Sequence, residues 1–195
     1  MDITPKRRKE LDNIVQDFCS KYGFDVKNDL FVELKKIGFE VYSAQFKRQL
    51  SGMILVNEKV DRIDNFKSNK VIVYNKNCSY YQIRFVLLHE LSHYIIEKFE
   101  RGQDKLLFAV RDPDERYHDD VEEQEKDYMA AAMLVPTEEI LMDIQEYKKT
   151  LDCNIIDNLM NLLTEDKYFI QMLQRKYKIE DDLAKRRIKE VMESA

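Results

Sequence analysis

Two histidines and a glutamate stand at a spacing that suits zinc chemistry. His89, Glu90 and His93 form the pattern H-E-x-x-H. On an α-helix, residues four apart lie on one face, so both imidazoles can bind one tetrahedral zinc ion. Glu90 lies about 100° further round the helix, where its carboxylate can take a proton from a water molecule that the metal activates. The motif therefore predicts metal-dependent hydrolysis, with Glu90 as the catalytic base.

A zinc site of this type needs a third protein ligand. The chain lacks the H-E-x-x-H-x-x-G-x-x-H extension, which excludes the class with a third histidine. The acidic stretch that follows about thirty residues later offers Glu123 as the ligand. Asp127, one turn further, is predicted to accept the N–H of a ligand histidine. Glu122, Glu125 and His118 remain alternatives to Glu123.

Two predicted helices carry these residues. Ser79 can cap a long, mostly apolar helix that runs to about Phe99 and contains H-E-x-x-H. A second helix, over about 121–134, carries the acidic residues and is ended by Pro136. Because the first of these helices is apolar around most of its circumference, we expect it to be central and buried.

Short strands are predicted between the N-terminal helices and the motif helix. The N-terminal segments 6–22 and 29–37 show helical spacing of apolar residues, whereas 39–42, 51–56 and 70–74 read as strands. The segment 51–56 is a candidate edge strand for binding a substrate backbone by strand addition. Residues 101–120 are predicted to be a loop with at most one short helix, over 105–110.

The expected fold class is α+β. We expect a helix-rich, zincin-like core whose small twisted sheet, of three or slightly more strands, packs on the H-E-x-x-H helix. The predicted division is a metallopeptidase core over residues 1–136 and a helical C-terminal subdomain over 137–195. Two or three helices are predicted between residues 154 and 192.

Composition limits the classes of partner. The 195 residues carry a net charge of −5, which disfavours a uniformly basic nucleic-acid binder. No apolar run is long enough for a membrane span, and no apolar segment follows the basic N-terminus as in a secretory signal. The three cysteines, Cys19, Cys78 and Cys153, form no C-x-x-C pair and are expected to be reduced. These features predict a cytoplasmic protein without a membrane partner.

The motifs together resemble a known family. The segment RFVLLHELSHYI, followed by EEQEKDYMAAAMLVP, is similar to the ImmA/IrrE family of bacterial zinc metallopeptidases. The apolar strand after Leu50-Ser51-Gly52 and the segment KVIVYNKN also fit that pattern. The resemblance extends over most of residues 20–190, in the stand-alone form of the family.

The resemblance implies a gluzincin-like site and a protein substrate. It matches His89, His93 and Glu123 to the metal ligands, Glu90 to the catalytic glutamate, and Asp127 to a position usually held by Asn or Asp. The implied cofactor is Zn²⁺, with Mn²⁺ or another divalent ion as an alternative. Family members typically cleave helix-turn-helix repressors of mobile elements, prophages or stress regulons, so direct nucleic-acid binding is not expected.

A second hypothesis comes from two basic clusters. KRRK at 6–9 and KRRIK at 185–189 could belong to a DNA-binding or partner-binding regulatory protein that needs a metal but has little or no protease activity. A solvated helix end is the more common explanation of such a cluster. The sequence does not determine the oligomeric state.

Overall fold

The computed structural model describes residues 3–46, 50–102, 107–111, 120–151 and 159–194. The helices in these ranges are α1 (Pro5–Tyr22), α2 (Leu30–Lys36), α3 (Tyr80–Ile95), α4 (Val121–Leu134), α5 (Thr137–Lys148), α6 (Leu159–Glu165), α7 (Lys167–Tyr177) and α8 (Asp181–Met192). The strands are β1 (Glu40–Ala44), β2 (Gly52–Val56), β3 (Lys70–Asn75) and β4 (Leu107–Arg111). A π-helical turn, Ile96–Glu100, continues α3. The protein is α+β and rich in helix, which confirms the predicted fold class.

The chain divides into two compact units, Met1–Ala130 and Ala131–Ala195. The first unit contains the sheet, whose strand order is β1-β3-β2-β4. β1 runs parallel to β3, while β2 is antiparallel to both of its neighbours. In this register Ile54 of β2 lies between Ile72 of β3 and Ala109 of β4. The three strands predicted from the sequence are confirmed, with bounds shifted by one or two residues.

The prediction for residues 101–120 was wrong where β4 is concerned. Leu107–Arg111 forms a strand paired with β2 rather than a loop or a helix. The periodicity of such a short apolar run does not distinguish a strand from a helix. Leu107–Arg111 is a strand because it pairs with β2. For the same reason β2 is not the edge strand that the sequence suggested. Within 101–120 the structure describes residues 101, 102, 107–111 and 120, and the others lie outside the described residues.

Helix α3 begins at a capping box. The Ser79 hydroxyl accepts a hydrogen bond from the Gln82 N–H at 3.1 Å, and the Gln82 side chain accepts one from the Ser79 N–H at 2.9 Å. These bonds satisfy backbone donors at the helix start. From there α3 packs on β2 and β3. The core of this unit consists of buried apolar side chains from α1, α2, the sheet and α3, among them Leu11, Phe18, Leu34, Phe39, Ile54, Ile72, Leu87, Leu88 and Leu91.

A cluster of charged residues links the end of α3 and the turn that follows it to the sheet. Glu58, just after β2, accepts a hydrogen bond from Lys98 at 2.7 Å and lies 3.3 Å from the ammonium of Lys70 in β3. Lys70 also donates to the Tyr94 hydroxyl at 3.0 Å. The Lys98 hydrogen bond, helped by Lys70, lowers the pKa of the Glu58 carboxyl to about 2. Since Tyr94 follows His93 directly, this cluster helps to seat the motif helix.

We expect Glu58→Gln to destabilise the protein in a pH-dependent way. At pH 7 the loss should be about 1.5–3 kcal/mol, as for hydrogen bonds to charged groups. Because the folded-state pKa lies below the ordinary 4.5, the stabilisation is complete above that value and is lost as the pH falls towards about 2. Urea unfolding of both proteins at pH 7 and pH 2.5 measures this. A difference that does not shrink at low pH contradicts the prediction, and the exposed Glu165→Gln serves as control.

The second unit is helical, and it contains a fully buried arginine. The Arg187 guanidinium of α8 donates to the Val135 carbonyl at 3.2 and 3.0 Å and to the Thr137 hydroxyl at 3.0 Å. These bonds join α8 to the turn between α4 and α5. Among the described residues of the whole chain, every helix is too short or too polar to cross a bilayer.

Candidate metal centre

The two histidines of α3 lie on one buried face, as their spacing predicts. Their ring centroids are 5.2 Å apart and their planes are inclined by 75°. His89 is 1% exposed and His93 is 8% exposed. At such burial the imidazole nitrogens need polar partners.

Glu123 of α4 brings a carboxylate to both rings. Its Oε2 lies 3.2 Å from His89 Nε2, and its Oε1 lies 3.7 Å from His93 Nε2. One ligand atom from each of the three residues lies within 4.8 Å of the others. Ligand atoms of a tetrahedral zinc ion are separated by about 3.3 Å when the bonds are about 2.0–2.1 Å long. The His89–Glu123–His93 cluster could therefore hold a metal ion without large movement.

Asp127 lies where it can orient one of these rings. Its Oδ1 is 2.7 Å from His89 Nδ1. A proton on Nδ1 leaves the Nε2 lone pair directed at Glu123 and available to a metal. Carboxylates in this position fix the ring and increase its basicity as a ligand.

Glu123 is held in its charged form. Burial raises the pKa of its carboxyl, but the imidazoles of His89 and His93, when protonated, and the ammonium of Lys126 together outweigh burial and lower the pKa to about 2. Lys126 is itself buried, with its Nζ 3.5 Å from Glu123 Oε1 and 3.5 Å from a Glu122 oxygen. A deprotonated carboxylate is the form that binds a metal.

The neighbouring acidic residues are engaged elsewhere. Glu122 accepts a hydrogen bond from Arg101 at 3.0 Å, and Glu125 accepts two from Arg7 at 2.7 and 2.8 Å. Neither carboxylate belongs to the cluster of possible metal ligands found among the described residues. His118, the third alternative ligand, lies outside the described residues. Of the alternatives that the structure describes, Glu123 is therefore the one placed at the histidines.

Glu90 is fully buried and faces the start of β2. A Cβ on Gly52 would lie 2.9 Å from Glu90 Oε1 and 2.5 Å from Val86 Cγ1. Val86 and Glu90 are one turn apart on α3, so the glycine allows the strand to approach this face of the helix closely. Glu90 does not belong to the group of possible metal ligands among the described residues, as expected for a base that is not a ligand.

We expect Gly52→Ala to disturb the position of Glu90. The added methyl group overpacks a contact that has no room for it, which costs about 1–3 kcal/mol. Urea unfolding measures the loss of stability, and zinc binding should persist because no ligand is displaced. Ser43→Ala, at an exposed position of β1, is the control. A variant as stable as the control contradicts this reading of the Gly52 contact.

The sequence interpretation did not identify Lys126 or assign a role to Gly52. A glycine at the start of an apolar strand is a signal for close backbone approach, so Gly52 could have been singled out. The burial of Lys126 carries no comparable signal, because lysines in acidic helices are usually solvated.

The comparisons with known proteins agree with this geometry. The family model of a peptidase family, described as the IrrE N-terminal-like domain, matches residues 53–164. This range includes all three residues of the cluster, together with Glu90 and Asp127. No curated protein matches the chain. Because the matched range exceeds half of the sequence, the chain belongs to the family of IrrE N-terminal-like metallopeptidases, the family that its motifs resemble.

Proposed function

We propose that the protein is a zinc-dependent endopeptidase with Glu90 as its catalytic base and His89, His93 and Glu123 as its metal ligands. The observation that carries the proposal is the convergence of the three ligand atoms within 4.8 Å beside a fully buried glutamate. The donor set, two imidazoles and one carboxylate, is one that catalytic zinc sites use.

In the proposed mechanism, zinc when bound lowers the pKa of a water molecule and polarises the scissile carbonyl. The Glu90 carboxylate takes a proton from the attacking water and later delivers it to the nitrogen of the leaving amine. Asp127 holds the His89 ring with Nε2 turned towards the site. The burial of Glu90 and His89 keeps the local dielectric low, which strengthens these interactions.

We propose a helix-turn-helix repressor as the substrate, in keeping with the resemblance described above. Such a substrate would place the protein in the cytoplasm. An extended substrate segment could bind along β4, which pairs with β2 and lies last in the order of the strands that the structure describes. Phe108 on this strand is 61% exposed. A peptide could add to β4 by main-chain hydrogen bonds, so β4 replaces β2 as the candidate.

The arrangement of the basic clusters argues against the DNA-binding alternative. In the N-terminal cluster Arg7 is bound by two carboxylates and Arg8 is buried. In the C-terminal cluster Arg187 is fully buried, and Lys185 pairs with Asp181. Phosphate contacts require accessible guanidinium and ammonium groups, and these clusters offer few.

Terminal proteomics of bacterial cells tests the proposal. Cells expressing the wild-type protein are compared with cells expressing Glu90→Gln, after zinc content has been measured on both purified proteins. We expect about one zinc per chain in both, and new N-termini within helix-turn-helix proteins in the wild-type sample alone. Zinc-loaded wild type without any specific new N-terminus would contradict a peptidase function. Specific cleavage confined to other protein classes would contradict the repressor assignment.

A further inference from the structure

An arginine near the N-terminus bridges the two helical segments that carry the proposed ligands. Arg7 Nε and Nη2 donate to the two oxygens of Glu125 in α4, at 2.7 and 2.8 Å. Its Nη1 and Nη2 also donate to the two oxygens of Glu100, at 2.7 and 3.0 Å. Glu100 ends the π-helical turn that continues α3. One guanidinium thus contacts the helical segment of His89 and His93 and the helix of Glu123.

These contacts have the geometry of strong ion pairs. Paired, nearly parallel N–H···O bonds between arginine and carboxylate add directional specificity to the charge attraction. The Arg7 and Glu125 side chains are only 24% and 14% exposed, so solvent screens this pair less than an ordinary surface bridge. A lysine could not reproduce the planar fork.

Arg7 is poorly placed for the stability of its own helix. It lies in the first turn of α1, which begins at Pro5 and contains no acidic residue there. A positive charge near a helix N-terminus interacts unfavourably with the helix dipole. Within α1 it makes one longer i,i+3 pair, with Glu10 at 3.4 Å, so the shorter tertiary contacts explain the residue better than a contribution to α1.

A second contact joins the same two helices. The Tyr128 hydroxyl of α4 donates to Asp12 of α1 at 3.0 Å. Glu125 and Tyr128 are three residues apart and share one face of α4. Two contacts on this face, one to Arg7 and one to Asp12, restrict both rotation and sliding of α4 against α1.

The face held by α1 lies opposite the face that carries the ligand. Glu125 is two residues from Glu123 and two from Asp127, which is about 200° round the helix in either direction. A rotation of α4 that loosened the Arg7 contact would carry Glu123 away from the histidines. Residue 7 lies outside the matched family range, which starts at residue 53.

We propose that Arg7 is a positioning residue that sets the metal affinity of the site by holding α4 and the end of α3 in register. This inference rests on the proposed zinc function. Arg7 is not one of the proposed ligands, and it acts through Glu125 and Glu100. Without it, the metal itself would have to bring Glu123 into place, and part of the binding free energy would be lost to that ordering.

Zinc affinity, measured by competition with a chromophoric chelator, tests the inference. We expect Arg7→Gln to raise the dissociation constant about tenfold, as for other residues that orient metal ligands. Glu125→Gln should have a similar effect, and the double variant should bind no more weakly than either single variant. Arg186→Gln removes an arginine that pairs with Glu190 one turn away on α8, and it should leave the affinity within about twofold of wild type.

Further readouts separate positioning from general loss of stability. Circular dichroism at the assay temperature verifies that each variant is folded, and the visible spectrum of the cobalt-substituted protein reports ligand geometry directly. The cobalt bands should change in Arg7→Gln and not in Arg186→Gln. Arg7→Lys keeps the charge without the fork and should show the same direction of change.

The possible failures are distinguishable. An unchanged zinc affinity in Arg7→Gln and Glu125→Gln, with a wild type that binds one zinc, would overturn the role of Arg7 alone. Should Arg7→Gln not fold, the two remaining variants, Arg7→Lys and Glu125→Gln, decide the question by the same criterion. A wild type that binds no zinc after reconstitution would overturn both this inference and the proposed function.

Discussion

Replacing Glu90 with glutamine is expected to reduce cleavage by about 100- to 10,000-fold, the contribution typical of a general acid–base group. Glutamine has nearly the shape of glutamate but cannot accept the proton of the attacking water. Since the possible ligands among the described residues are His89, His93 and Glu123 and not Glu90, the metal should remain bound. The measurement combines zinc content with the rate of cleavage of the repressor identified by terminal proteomics.

The control for this experiment is Glu146→Gln, which removes the same charge at an exposed position of α5. It should cleave at the wild-type rate. Glu90→Gln that cleaves equally fast would show that another group moves the proton. A loss of zinc together with activity would show that Glu90 belongs to the ligand set, contrary to the proposed mechanism.

Replacing Glu123 with alanine is expected to weaken zinc binding by more than about 100-fold, because a direct ligand should matter more than the residues that orient ligands. The two histidines would remain, but the third donor and the negative charge would be absent. After chelator treatment, reconstitution and gel filtration, elemental analysis should find about one zinc per chain in wild type and little in the variant.

Glu122→Ala is the matched control for this measurement. It removes a neighbouring carboxylate that contacts Arg101 and Lys126 rather than the histidines, so it should retain zinc. Glu125→Ala is unsuitable as a control because Glu125 contacts Arg7. Zinc retained by Glu123→Ala would move the third ligand to another residue.

Among the predictions from sequence, those for the helices that carry the site hold best. The bounds of α4 agree with the predicted 121–134, and α3 with its π-helical turn covers nearly all of the predicted 79–99. Both helices combine a start signal or an acidic first turn with long apolar spacing, which are local properties of the chain. The strand β4 was missed because its state depends on a partner strand about fifty residues earlier in the chain.

Features of the site that depend on short spacing can be predicted from the sequence alone. His89 and His93 share a face because they are four residues apart on a helix. Glu90 follows His89 directly, so it lies about 100° away from that face. Spacing could not choose among Glu122, Glu123 and Glu125, since all three lie within a single turn of one helix. That choice depends on the rotation of α4 about its axis.

The rotation of α4 is set by contacts with distant parts of the chain. Arg7 and Arg101 engage Glu125 and Glu122, while Glu123 faces the two histidines. The close approach of Gly52 to Glu90 and the pairing of β4 with β2 also depend on tertiary contacts. Each joins residues that are tens of positions apart in the chain, and such contacts follow from packing and charge pairing across elements, which no local pattern encodes.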